Sequence, residues 1–498
     1  MNEEPRMGFG HLLLELLWIV LVVLAPALGV WTASSLAAYL NGPVWLACTA
    51  GLLLFPVLPV AWELWAARRR TAKNDTGTRW LSVWDRLALR TLFVNALFLT
   101  LLIVRFPAAT FAALSTRGDW FLDGSRTEGA EKLRADLFAT AQGIEWLYRL
   151  VKPNPYESEI EPPTQDEPVP ENPVAQDTRL PEPPVAEEPK GPVASEEPTT
   201  GEWREDGTPV WPLPATLHPL VASITPDDER SIETVGRYFR ENESDPWKRV
   251  KALHDWVADR VSYDVDAYRA RRYDGQTALG AFRTRKTMCA GYSNLLAALG
   301  KVTGDDIRVV VGDARTDGTD LTGEGHAWNV VQIGERWALI DATWDAGSLG
   351  EKGFEKKYDT GYLFAPPEIQ GVTHFPEDPR WQLREPALTR GDFFRQPVLR
   401  PRFFSEGFRL VSPDRSQITV AGTAELALEN RRGRYLLAYA QAEGGAKKDC
   451  LIAYERQDAR VRCELPEDGS YRLQLFAGPQ QYGSYDLVGE LYVQNRAD

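Results

Sequence analysis

Three apolar runs come before any soluble-looking sequence: Leu12–Trp31, Val44–Trp65 and Leu89–Leu114. Each is long enough for a bilayer core, which takes roughly 20 residues of helix. Three in succession read as membrane spans rather than buried core helices. Pro26, Pro56 and Pro59 are tolerable inside spans. Arg105 in the third run either snorkels to an interface or marks an early end to the membrane part. The first run exceeds the ~7–15 apolar residues of a secretory signal, and Glu3 and Glu4 oppose Arg6 ahead of it, which argues against a cleaved leader. Between the second and third runs lie Arg68, Arg69, Arg70, Lys73, Arg79, Arg86 and Arg90, opposed by Asp75 and Asp85, whereas Thr32–Pro43 carries no charge. The positive-inside rule puts the basic loop and the N-terminus in the cytoplasm, and everything after Leu114 in the periplasm or outside the cell.

The chain carries a formal net charge of -14. Fifteen acidic and four basic residues fall between Lys152 and Asp206, so this one segment carries most of that charge. The remainder is close to neutral, and no basic patch argues for nucleic acid. Residues 116–151 read as an amphipathic helical segment, with Leu133, Leu137, Ile144 and Leu147 at helical spacing. Residues 152–215, rich in Pro and Glu, read as a disordered linker with polyproline II bias. At ~3.1 Å per residue such a tether reaches on the order of 150 Å.

A globular pattern begins near Leu217. Val250, Leu253, Trp256, Val257 and Val261 form one apolar helix face. The string "KTMCAGYSNLLAALG" places Cys289 at the first turn of another helix, with Leu295, Leu296 and Leu299 facing a core and Gly300 closing that face. A helix N-terminus offers unpaired N–H groups and a partial positive charge, both of which favour thiolate. Taken alone, Cys289 reads as readily as an inert core residue. Downstream, "DIRVVVGDA" is a buried strand, and "HAWNVVQIG" and "RWALIDATWDAG" form an antiparallel hairpin turning at Gly334–Glu335. That hairpin sets His326 opposite Asp341 near one end of the sheet. The carboxylate can then hold one imidazole nitrogen and leave the other to serve a nucleophile. Asp345 is the rival third member. Trp328 and Trp344 read as core or cleft walls, and His254 and His374 as structural. Four dispersed cysteines supply no zinc motif, and neither metal nor cofactor is expected.

Cys289 in "MCAGYSNLL", His326 in "HAWNVV" and Asp341 in "WALIDATWDAG" resemble the three core motifs of the transglutaminase-like superfamily. The strings "YLFAPPEIQGVTHFPEDPRWQL" and "FFRQPVLRPRFF" resemble segments that follow the triad in the kyphoscoliosis-peptidase type. The resemblance implies a papain-like core over residues 216–400 and acyl transfer at peptide or amide bonds. Cys289 would attack as thiolate, His326 would shuttle the proton and Asp341 would fix the imidazole. The Cys289 backbone N–H is one expected oxyanion donor, and Tyr263 is a weaker second.

Residues 401–498 show short alternating strands at sandwich spacing, and "LPEDGSYRL" resembles the tyrosine corner of immunoglobulin-like folds. Cys450 and Cys463 fall opposite each other across a hairpin turning at Arg456–Gln457, close enough to form a disulfide. The fold class is therefore α+β. A three-helix membrane region (1–115) is followed by the amphipathic segment, the linker, the papain-like transglutaminase core and an immunoglobulin-like sandwich. The expected function is a membrane-anchored cysteine-nucleophile enzyme acting on peptide, protein or cell-wall peptide. The alternative is a catalytically silent envelope scaffold.

Overall fold

A computed structural model of the chain describes residues 9–40, 42, 44–73, 81–125, 127–160, 203–204, 207–316, 321–350, 352–442 and 444–496. It divides into two compact units, Met1–Lys152 and Pro153–Asp498.

The first unit is helical: α1 (Phe9–Tyr39), α2 (Val44–Leu52), α3 (Leu58–Ala72), α4 (Val83–Arg105), α5 (Pro107–Arg117), α6 (Glu128–Gln142) and α7 (Glu145–Val151). Three stretches are long and apolar enough to cross a membrane: Val22–Tyr39, Trp45–Ala72 and Val83–Arg105. The second is interrupted at Phe55, whose backbone is extended (φ -152°, ψ 122°) just ahead of Pro56. The third stops at Arg105, because Phe106 leaves helical geometry and Pro107 starts α5. The third run therefore ends nine residues short of Leu114, and Thr110–Arg117 are buried within the unit. Glu63, inside the second run, is paired with Arg70, Arg86 and Arg90. Along α6 and α7 the buried positions among the described residues are Ala130, Ala141 and Tyr148, while Leu133 is exposed.

In the second unit two longer helices, α8 (Ile232–Asn242) and α9 (Pro246–Arg260), follow the short helix Pro219–Ser223. Ser231 and Asp245 cap their N-termini, and Pro246 takes the first helical position, where its missing N–H costs nothing. Val250, Leu253, Trp256, Val257 and Val261 are all fully buried. Helix α10 (Cys289–Thr303) packs against α8, α9 and two strands of a sheet. It ends at Gly304 in the left-handed region (φ 85°), not at Gly300. Gly300 lies inside the helix, where a Cβ would meet Asp305 O at 2.9 Å. The sheet holds β1 (Asp306–Ala314), β2 (Glu324–Ile333), β3 (Arg336–Ile340), β4 (Leu363–Ala365) and β5 (His374–Pro376). Its order is β4-β3-β2-β1-β5, antiparallel throughout.

The C-terminal part is a sandwich of a four-stranded and a six-stranded sheet. Inward residues alternate along each strand, as in Asp458–Glu464, where Ala459, Val461 and Cys463 are buried. Tyr471 donates its hydroxyl to Glu467 O at 2.9 Å and accepts from Glu467 N at 3.2 Å, the tyrosine-corner arrangement. Cys450 and Cys463 are bridged, with Cα atoms 4.4 Å apart.

The linker expected over 152–215 differs at both ends. Trp211 and Leu213 are buried, and Trp211 Nε1 donates to Gly361 O at 3.1 Å. Residues 153–160 also pack into the second unit, as the next section describes. Residues 161–202 and 205–206 of that expected linker lie outside the described residues.

Candidate active site

Cys289 opens α10 because Met288 is extended (φ -97°, ψ -172°) and carries no side-chain cap of its own. The capping comes from a distance: Gln276 Oε1 accepts from Met288 N at 3.1 Å, Gly291 N at 3.3 Å and Thr287 Oγ1 at 3.2 Å. Gly291 is required there, since a Cβ would stand 2.0 Å from Thr287 Oγ1. Asn329 on β2 donates to Ser293 O at 3.0 Å and to Arg308 O at 3.3 Å, fixing the helix to the sheet.

His326 and Asp341 meet by a diagonal, not by direct opposition. The register pairs Asn329 with Ile340. Continued one step, it sets Asp341 beside Trp328, two residues along β2 from His326 and on the same face. His326 Nε2 lies 2.7 Å from Asp341 Oδ2. Cys289 acts on the same imidazole and, with Asp341, favours its charged form. Asp341 also caps the turn that follows: its Oδ1 accepts from Thr343 N at 2.8 Å and Trp344 N at 3.1 Å. One carboxylate therefore both holds the imidazole and caps the turn.

A second imidazole shares this carboxylate. Strand β5 pairs with β1 through Ala314 and His374. That places His374 Nε2 3.1 Å from Asp341 Oδ2, with Nδ1 2.9 Å from Thr373 Oγ1. His374, read from the sequence as structural, thus lies beside His326 on the same carboxylate. Trp344 flanks both imidazoles, with ring centroids 5.3 Å from His326 and 4.5 Å from His374. Trp328 lies 6.0 Å from His326. Asp345 is not the third member: its Oδ2 is 3.2 Å from His254 Nε2, on the far side of the short turn.

Electrostatics follow from these contacts. Burial opposes charge on His326, but Asp341 and Cys289 outweigh it and hold the imidazole raised to about 10. Burial alone would raise Asp341, yet His326 and His374 hold it well below the usual carboxylate range. His374 is pulled below its ordinary value by burial, despite Asp341. As neutral imidazole it donates Nε2–H to the carboxylate and accepts from Thr373 at Nδ1. The site favours an imidazolium at His326 and a neutral ring at His374.

One ring nitrogen each of His326 and His374 and an Asp341 oxygen lie within 4.8 Å of one another, a donor set that could hold a metal ion. The contacts are at hydrogen-bond distance, shorter than tetrahedral zinc with ~2.0–2.1 Å bonds would set between its ligands.

Tyr263 stands beside Cys289 because Ser262 and Tyr263 pair in parallel with Lys286 and Thr287. Burial, and then Cys289, push its hydroxyl far up, so it keeps its proton. Tyr156 was not singled out from the sequence. It is 2% exposed and packed against Met288, Cys289 and Ala327. The only signal for it is one aromatic residue at the start of a Pro/Glu run.

Residues 233–342 match the transglutaminase-like superfamily, and residues 390–496 match the KY-like, immunoglobulin-like domain. The kyphoscoliosis peptidase of Mus musculus is 28% identical over 253 residues, 49% of this chain and 38% of that protein. The kyphoscoliosis peptidase of Homo sapiens is 26% identical over 238 residues, 46% of this chain and 36% of that protein. The matched region thus spans little more than a third of each relative's length. A solved structure titled "Crystal structure of a TGase" shares 22% identity over 27% of this chain and 36% of its own, with a TM-score of 0.21, too low to bear on the fold. By these matches the chain carries a transglutaminase-like domain and a KY-like, immunoglobulin-like domain, and over about half its length it is similar to kyphoscoliosis peptidases.

Proposed function

We propose that the second unit is a cysteine-nucleophile enzyme that cleaves or transfers acyl groups at peptide or side-chain amides. The observation that carries this is His326, which meets Asp341 through one nitrogen at 2.7 Å while Cys289, at the start of α10, acts on the same imidazole. Cys289 Sγ adds to the amide carbonyl, and its proton resides on His326. The tetrahedral oxyanion is met by the Cys289 backbone N–H and the Tyr263 hydroxyl. Collapse expels the amine, which takes the His326 proton, and leaves a thioester. Water gives hydrolysis; an amine gives transfer. Asp341 keeps the imidazole in the productive tautomer and supports its charge.

The three apolar helices anchor the enzyme, with the basic stretch Arg68–Arg90 cytoplasmic and the second unit outside the cytoplasm. The Cys450–Cys463 bridge suits that compartment. The substrate class within reach is envelope protein or cell-wall peptide. One observation favours the alternative, a silent scaffold: Cys289 is only 1% exposed. Thiol alkylation between pH 5 and 8, with and without His326→Ala, separates the two. Fast, His326-dependent labelling of Cys289 supports the enzyme. Slow labelling that His326→Ala leaves unchanged supports the scaffold.

A further inference from the structure

The short segment that leads into the second unit lies across the reacting groups. Asn154 Nδ2 donates to Gly312 O at 2.7 Å and to His326 O at 3.3 Å. Its Oδ1 accepts from Tyr156 N at 2.9 Å, which turns the chain so that the phenol points inward. Tyr156 fills an apolar pocket built by Ala267, Met288, Cys289, Ala290 and Ala327. Its ring meets Tyr273 edge-on at 5.2 Å, and its hydroxyl lies 3.8 Å from Met288 Sδ. On the other wall, Asn294 on α10 donates to Glu159 O at 2.7 Å, and Gln276 N donates to Glu159 Oε2 at 3.2 Å.

Residues 154–159 are therefore pinned both to the strand that carries His326 and to the helix that carries Cys289. A peptide substrate would have to grip the same two walls. Gly325 makes the crossing possible. A Cβ there would stand 2.5 Å from Pro155 Cδ, so the strand beside His326 is left bare where the segment lies on it. With the segment in place Cys289 is 1% and His326 6% exposed, and what faces the thiol is a phenol, not an amide carbonyl.

We propose that Asn154–Glu159 occupies the acyl-donor groove in place of substrate, and that the pocket holding Tyr156 receives an aromatic or large apolar side chain of a peptide substrate. Occupancy is a matter of geometry alone. The substrate half rests on the enzymatic reading above. The side chains of Ala267, Met288, Cys289, Ala290 and Ala327 are apolar, so a tyrosine or phenylalanine would replace Tyr156 group for group.

The test uses the full chain in detergent with Cys48→Ser, so that Cys289 is the free thiol beside the Cys450–Cys463 bridge. Alkylation of Cys289 by iodoacetamide at pH 7 should speed up about tenfold in Asn154→Ala and in Tyr156→Ala, as expected when one or two hydrogen bonds hold a segment closed. Tyr156→Phe should stay within about twofold of the parent, because the pocket remains filled. Gly325→Ala keeps every residue of the segment and pushes it off the strand, so it should also speed labelling. It carries the test if Tyr156→Ala fails to fold. Unchanged or slower labelling in both Asn154→Ala and Gly325→Ala overturns the occupancy.

In the Tyr156→Ala protein, acetyl-Gly-Tyr-Gly-amide should protect Cys289 from alkylation at concentrations where acetyl-Gly-Ala-Gly-amide does not. Equal protection by the two peptides overturns the pocket assignment. None of these rates needs turnover. Labelling that rises on release of the segment but ignores His326→Ala would remove the enzymatic reading and leave the occupied groove standing.

Discussion

Two buried carboxylates stand four residues apart, at either end of one short turn, and each holds a histidine. Asp341 faces the thiol; Asp345 faces the helix pair behind it. Asp341 gathers two imidazole nitrogens and two backbone N–H groups. That fourfold donation overcomes burial and keeps it ionised. Asp345 has His254 at 3.2 Å and the backbone N–H of Tyr362 at 3.0 Å, with the negative Asp359 nearby. Burial wins there, and its carboxyl is raised to about 6. The histidines differ in the same way. His254 has a carboxylate against each nitrogen, Asp255 at 2.9 Å and Asp345 at 3.2 Å, so neither nitrogen faces a nucleophile. Those two carboxylates outweigh burial and raise it to about 9. His326 gives one nitrogen to Asp341 and has one left. A buried His–Asp pair is therefore not a catalytic signature; the uncommitted nitrogen is.

The largest expected effect separates the two carboxylates by activity. Asp341→Asn should lower amide turnover, or His326-dependent alkylation of Cys289, by about 10⁴-fold through the wrong tautomer. Asp345→Asn should stay within about tenfold, since it touches no reacting group. Comparable losses in both would end the distinction. Next come the histidines. His326→Ala should cost ~10²–10⁴ in rate. His254→Ala should leave Asp345 buried without its cation, Asp255 keeping Lys251, and lower stability by about 3–5 kcal/mol in denaturant titration. A third test sharpens the role of the shared oxygen. His374→Gln should lower the rate about tenfold, the worth of one hydrogen bond to a charged group. It should also shift the alkaline limb of the rate profile, which a purely structural role would not move.

The smallest effect lies in pH dependence. His326 and His254 bind protons more tightly when folded, so their stabilisation is complete below about 6.5 and fades as pH rises through about 9 and 10. Asp341 works in the opposite sense: its contribution is present above the ordinary carboxylate range and is lost in acid. Asp345, raised from 3.8 to about 6, stabilises most at low pH and loses that contribution as pH climbs through 6. Asp345→Asn should therefore flatten the fall in unfolding midpoint between pH 4 and 6. An unaltered slope would place the carboxyl in an ordinary environment.

What the sequence discloses and what it hides divide along contact distance. The apolar face of α9, the turn at Gly334 and the tyrosine corner at Tyr471 are local patterns, set by period or turn chemistry. Cys289, His326 and Asp341 were nameable because each sits in a short string beside its own secondary-structure boundary. His374 was quoted in "HFPEDP" but not placed, since its approach to Asp341 depends on β5 joining the far edge of β1. Asn154 and Tyr156 were lost in a composition argument. A Pro/Glu-rich stretch reads as solvated, and nothing local records that Asn154 meets a carbonyl 158 residues away. Arg105 left two possibilities open, and the apolar helix ends at that residue, at a backbone break at Phe106.

Asp341 ties the chemistry to the architecture in a way that bears on how such a site could decay. Its Oδ1 starts the turn that carries Trp344 and Asp345, while Oδ2 steadies two rings. Cys289 Sγ supports no such structure. A lineage that abandoned catalysis would shed the sulfur first and keep the aspartate longest, because losing Asp341 also unravels a corner of the fold. Inactive descendants that had replaced Asp341 while retaining Cys289 would contradict that order.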